Sequence, residues 1–128
     1  MLELEDVHTH YGDSHILKGI SVSVADGEEV GLVGRNGAGK TTTLRSITGT
    51  QQPTMGSISF DDQDITAMSV PDTARQGIRI VLEDRRPFPD LTVEENLRLS
   101  TDSTYGSDWT LDRVYEVLPR LSERSEQR

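Results

Sequence analysis

The run Gly34-Arg35-Asn36-Gly37-Ala38-Gly39-Lys40-Thr41 sets glycines, a lysine and a hydroxyl at the spacing G-x-x-x-x-G-K-[ST]. Glycines at 34, 37 and 39 let the backbone curl until successive N–H groups point inward at one anion. A helix starting near Lys40 adds its positive end. The Lys40 ammonium reaches β- and γ-phosphates as a movable point charge, and the Thr41 hydroxyl suits Mg²⁺. Thr42 adds its N–H. Gly34, Asn36, Gly37, Ala38, Gly39, Lys40, Thr41 and Thr42 are therefore the expected phosphate contacts, within a loop spanning 34–42. Such a loop points to a nucleoside triphosphate and leaves the reaction open.

A cradle of this kind needs a strand to bring the chain in and a helix to carry it away. Glu29-Val30-Gly31-Leu32-Val33 reads as a buried strand before the loop, and 41–48, ended by Gly49 and then Pro53, as the helix after it, with Leu44 and Ile47 on its apolar side. Upstream, 2–7 and 16–24 alternate apolar and polar residues and predict an antiparallel pair turned near Gly12-Asp13. Downstream, 57–60 and 64–66 flank a hairpin turn at 61–63, Ser69 to Asp72 opens a short helix to Gln76, and 78–82 reads as another strand. After a polar, proline-containing loop over 83–90, Thr92-Val93-Glu94-Glu95 caps a helix through Leu99. Residues 100–108 read as an exposed connector. Leu111, Val114, Tyr115 and Leu118 fall on one face of a last helix that Pro119 ends or kinks. The expected class is α/β.

Three other groupings suggest sites and favour plainer readings. His8 and His10 share a strand face without an evident third ligand, which favours a polar face over a metal. Asp61, Asp62 and Asp64 lack the glycine and distal glutamate of a calcium loop and suit a charged turn. Glu94 and Glu95 suit helix capping better than acid catalysis.

At 128 residues the chain has room for one ordinary domain. Its formal charge of −9, from 22 acidic and 13 basic residues, argues against nucleic acid as the main partner. With no cysteine there is no disulfide framework and no thiol chemistry. The acidic start Met1-Leu2-Glu3-Leu4-Glu5-Asp6 is unlike a signal peptide, and the expectation is a cytoplasmic protein. Lys18 and Lys40 are the only lysines.

The phosphate loop together with Gly77-Ile78-Arg79-Ile80-Val81-Leu82-Glu83-Asp84-Arg85-Arg86-Pro87-Phe88-Pro89-Asp90-Leu91-Thr92-Val93-Glu94-Glu95-Asn96-Leu97 resembles the ATP-binding subunits of ABC transporters, and is most similar to those of branched-chain amino acid importers. The resemblance implies a P-loop ABC-type nucleotide-binding domain, incomplete here. It would comprise an antiparallel β subdomain, the phosphate-loop core, a Q-loop region over 83–90 and the start of a helical subdomain over about 92–128. It makes Tyr11 the aromatic residue that stacks on adenine, against the plainer reading of a tyrosine packed at a strand end. It makes Glu83, where the wider superfamily has glutamine, a ligand of the metal or the attacking water, against that of a solvated charge. Leu82 stands where this branch usually shows proline. The 84–99 stretch would line the groove that receives a permease helix, with Arg85, Arg86 and Phe88 as anchors; the alternative for Phe88 is a ring tucked under its own loop.

The cofactors so implied are ATP and Mg²⁺, with Lys40 and Glu83 catalytic. The intact subunit would dimerise head-to-tail and sit on the inner face of the membrane against its permease. Within residues 1–128 the family's signature glycines, Mg²⁺-holding Asp, catalytic Glu and switch His are not found, so nucleotide binding without hydrolysis is expected of these residues alone. The alternatives are a non-hydrolysing nucleotide-binding or interaction module, or the ATPase of a urea or amide importer. A small nucleotide kinase fits the residues after the loop less well.

Overall fold

Alternating side chains over Leu2–Tyr11 and Ser14–Val24 make β1 and β2, an antiparallel pair turned at Gly12, whose φ of 55° lies in the left-handed region. The computed structural model describes residues 1–81, 83, 87–101 and 109–128, without the side chains of 100 and 101. It divides into two units, Met1–Ile80 and Val81–Arg128.

In the first unit α1 covers Lys40–Ile47, β3 Met55–Phe60, β4 Gln63–Asp64 and α2 Val70–Arg75. The strands form one antiparallel sheet in the order β2-β1-β3-β4. Asp61 and Asp62, at φ 47° and 64°, make the tight β3–β4 turn, and the Asp64 carboxylate accepts from the Thr66 hydroxyl at 2.6 Å and its N–H at 2.8 Å. Asp64 is thus occupied by the turn, while the Asp61 carboxylate accepts from the Met1 ammonium at 2.6 Å. Ser69 caps α2, its hydroxyl accepting from the Asp72 N–H at 3.3 Å.

A bulge in β1 decides which side chains face the core. Register slips between Leu4 and Val7 against β2 and between Glu5 and His8 against β3, and Asp6 sits at φ 45°. The extra residue rephases the strand, so Leu4, Val7 and Thr9 are all buried although 4 and 7 differ in parity. Gly56 passes so close that a Cβ there would lie 2.2 Å from the Asp6 carbonyl oxygen. Leu4, Val7, Leu17, Ile58 and Ile65 form the core, with Leu2, Ile16, Ile47 and Ile78 packed on it.

Two expected strands are not formed. Residues 28–35 and 78–81 have no strand conformation, and Val33 and Val81 are 95% and 94% exposed. A strand exists through its ladder of hydrogen bonds to a neighbour, and neither run has one among the described residues. Residue 82 lies outside them. Helix α1 also departs from expectation: Thr42, Thr43 and Ser46 are its buried side, while Leu44 is 42% exposed. The Thr43 and Ser46 hydroxyls donate back to the Gly39 and Thr42 carbonyls, both at 2.8 Å, and Ser46 also pairs with Thr9 at 3.0 Å.

In the second unit α3 spans Val93–Thr101, α4 Leu111–Val117 and α5 Pro119–Glu123. Thr92 and Glu95 form a reciprocal capping box at 2.8 and 3.2 Å, and Glu94 pairs with Arg98 at 2.7 Å, which accounts for both glutamates. The chain breaks at Leu118, and Pro119 opens a new helix where its missing N–H costs nothing. The expected connector begins inside α3, and its residues 102–108 lie outside the described ones. Among the described residues no helix is long and apolar enough to cross a membrane.

Candidate functional site

The loop between residue 33 and α1 turns inward because two of its glycines take conformations closed to other residues. Gly37 lies at φ 82° and Gly39 at φ 104°. Gly39 is constrained twice over, since a Cβ there would stand 2.8 Å from Leu17 Cδ2, whereas nothing lies within 4 Å of the corresponding position on Gly37. The loop is thus pressed against β2 at Gly39 and left open at Gly37, where a ligand would approach. Ala38 N–H closes the turn onto the Arg35 carbonyl at 3.1 Å.

Lys40, first residue of α1, folds its ammonium back onto the loop, donating to the Gly34 carbonyl and, at 3.4 Å, to that of Arg35. Those oxygens stand in for anionic ones: they gather the charge at the mouth of the cradle. Tyr11, Asn36, Gly37, Gly39, Lys40, Thr41 and Thr42 line one cleft of about 410 Å³. Seven of the residues singled out in the sequence thus converge, while Gly34 and Ala38 shape the loop from behind. Tyr11 is 37% exposed at the cleft, with its hydroxyl accepting from Arg45 Nη1 at 3.4 Å. Thr41 is exposed and offers a hard oxygen of the kind Mg²⁺ takes. No group of three His, Cys, Asp or Glu is placed to hold a metal among the described residues.

Glu83 stands at an exposed turn of the second unit. Arg85 and Arg86 lie outside the described residues. Phe88 is 64% exposed, so its ring is not tucked away. It lines an apolar groove of about 720 Å³ with Pro87, Pro89, Leu91, Val93, Leu97, Leu99 and Leu121.

Four contributors escaped the sequence reading. Ile16 lines the cleft and Leu17 backs Gly39. Ser46 ties α1 to Thr9; a hydroxyl facing a strand of buried apolar residues was the available signal. Asn96 clamps the 88–92 loop, accepting from Phe88 N–H at 2.8 Å and donating to the carbonyls of Phe88, Leu91 and Thr92 at 3.1, 3.2 and 2.9 Å.

Comparison with known proteins gives the same picture. Residues 17–128 match the family model described as ABC transporter. The chain is 42% identical, over its whole length, to the high-affinity branched-chain amino acid transport ATP-binding protein BraG of Pseudomonas aeruginosa, of which it spans 56%. It is 34% identical to the spermidine/putrescine import ATP-binding protein PotA of Haemophilus ducreyi, spanning 34% of that protein. Among solved structures, an ATP-binding subunit of an ABC transporter superposes on 98% of the chain with TM-score 0.78 and 32% identity, the match covering 53% of that subunit. The ADP conformation of MJ1267, an ATP-binding cassette of an ABC transporter, superposes on 99% with TM-score 0.81 at 24% identity, covering 56% of it, a likeness of fold. The chain spans about half the length of these cassettes.

Proposed function

The chain belongs to the ABC transporter family, and on that premise we propose that it grips the nucleotide in the ATP-binding subunit of an importer for branched-chain or related amino acids. The observation that carries this reading is the cradle itself: left-handed Gly37 and Gly39, and a lysine already turned onto its mouth.

On ATP binding the N–H groups of 36–42 donate to phosphate oxygens, and Lys40 exchanges the Gly34 and Arg35 carbonyls for the β- and γ-phosphates. Tyr11 lies under adenine, held at its hydroxyl by Arg45. The Thr41 hydroxyl would hold Mg²⁺, which would supply charge neutralisation at the phosphates when bound. Lys40 stabilises charge on the transferring phosphoryl group, and Glu83 orients the attacking water and relays nucleotide state. In the whole protein, hydrolysis in a head-to-tail dimer drives import, and the exposed Phe88 and its groove meet a permease helix at the cytoplasmic face of the membrane.

Calorimetric titration of MgATP into the chain at pH 7.5 tests the reading. Saturable one-to-one binding is expected, weakened roughly 10- to 100-fold by Lys40→Ala, with no change in melting temperature. A wild-type chain that melts cooperatively but takes no nucleotide overturns it.

A further inference from the structure

All three histidines of the chain meet at one end of the sheet. The bulge in β1 turns His8 and His10 away from the face that buries Val7 and Thr9, and β2 brings His15 between them, paired in register with His10. His8 Nδ1 and His15 Nε2 are 2.9 Å apart. The His15 ring stacks on His10, with centroids 4.1 Å apart and planes at 11°. His8 Nε2 faces Asp6 Oδ1 at 3.2 Å, and His10 Nδ1 faces the Thr54 hydroxyl at 2.9 Å. Lys18 pairs with His8 in the register of β2, and β3 contributes no charged residue. Asp6 thus sets an acid against a group of three imidazoles and a lysine, and its side chain is 73% exposed.

This arrangement accepts one proton on its central hydrogen bond and resists more. A 2.9 Å N···N contact needs one N–H and one lone pair; when both rings are imidazolium, two N–H groups point at each other. A charge on His10 adds repulsion across the 4.1 Å stack. The strain falls on the part of the β1–β2 pair that builds the cleft, because Tyr11 follows His10 and Ile16 follows His15, and both line it.

We propose that the His8–His15–His10 cluster makes nucleotide binding acid-sensitive: as further protons enter, the Tyr11–Ser14 end of the hairpin opens and Tyr11 and Ile16 draw back from the nucleotide. The proposal rests on the nucleotide reading above. Burial, and after it the charges of His10 and His8, hold His15 below the ordinary histidine range. A base whose folded value is depressed binds more protons when unfolded. Pairing at this end is therefore fully stable above the ordinary histidine value and weakens as pH falls through it toward the lowered one.

The test compares ADP affinity of the wild-type chain and His15→Gln at pH 7.5 and 5.5. The nucleotide's terminal phosphate titrates in the same range, so the readout is the ratio between the two proteins at each pH. Wild type should lose at least about threefold more affinity than His15→Gln on acidification. Equal losses overturn the proposal. If neither protein binds ADP at pH 7.5 while both melt cooperatively, the nucleotide reading has failed. The cluster is then judged on melting temperature, which should drop further with acid in wild type than in the variant, and parallel drops overturn it. Should His15→Gln not fold, His10→Gln, which removes one cation from the stack, takes its place with the same outcomes.

Discussion

The β1–β2 pair and the stretch 28–35 that follows it are adjacent in the chain and opposite in condition. In the pair, Leu4, Val7 and Leu17 are at most 2% exposed and the backbone is bonded along its length. In the stretch, Val30, Leu32 and Val33 are 44%, 40% and 95% exposed, with no strand beside them among the described residues. The phosphate loop lies between these conditions. On its helix side it is held three ways: Gly39 against Leu17, Thr43 on the Gly39 carbonyl, and Ser46 on Thr9. On its leading side it continues from the unpaired stretch, whose Gly34 and Arg35 carbonyls accept from Lys40 and Ala38. Among the described residues, the contacts that hold the cradle lie on its helix side.

The largest contrast should come from trimming apolar side chains on the two sides. Leu17→Ala removes a core side chain and should cost about 2–4 kcal/mol, against less than about 0.5 kcal/mol for Val33→Ala, both measured by urea unfolding. Equal costs would break the comparison. Gly39→Ala comes next, at about 1–3 kcal/mol, since it meets both a forbidden φ and Leu17; Gly37→Ala meets only the φ and should cost about 1 kcal/mol. A Gly37 variant that unfolds the chain as readily as the Gly39 variant would show that both sides of the loop are held. Ser46→Ala leaves the Thr9 hydroxyl buried without a partner and should cost about 1–2 kcal/mol, recovered in part by adding Thr9→Val. Smallest is Asp64→Asn in the β3–β4 turn. The Thr66 hydroxyl and N–H hold the Asp64 carboxyl below its usual range, so its contribution is present above that range and lost as pH falls through the lowered value. The variant should melt slightly below wild type at pH 7 and meet it in acid, so that its melting curve is flatter below about pH 4.

Local chemistry was legible where a few residues decide it alone. The caps at Ser69 and Thr92 and the break at Pro119 are short-range devices that stand where their residues predict, and the β3–β4 turn falls at Asp61-Asp62 within the expected 61–63. What could not be read depends on partners distant in sequence. The apolar runs at 29–33 and 78–82 read as strands, but a run says nothing of the neighbour that a ladder needs. The Asp6 bulge is fixed by Gly56, fifty residues on, and without it the core face of β1, and hence the side on which Tyr11 and the histidines fall, is assigned with the wrong parity. For the same reason His15 was invisible as the third member beside His8 and His10.

On the proposed reading, residues 36–42 form a phosphate cradle held from its helix side. Amide hydrogen exchange of the chain with and without ADP addresses it residue by residue. Added protection is expected at 36–42 and near Tyr11, with little change at 29–33. Unchanged exchange at 36–42 under saturating ADP, or protection that is as large at 29–33, would contradict it.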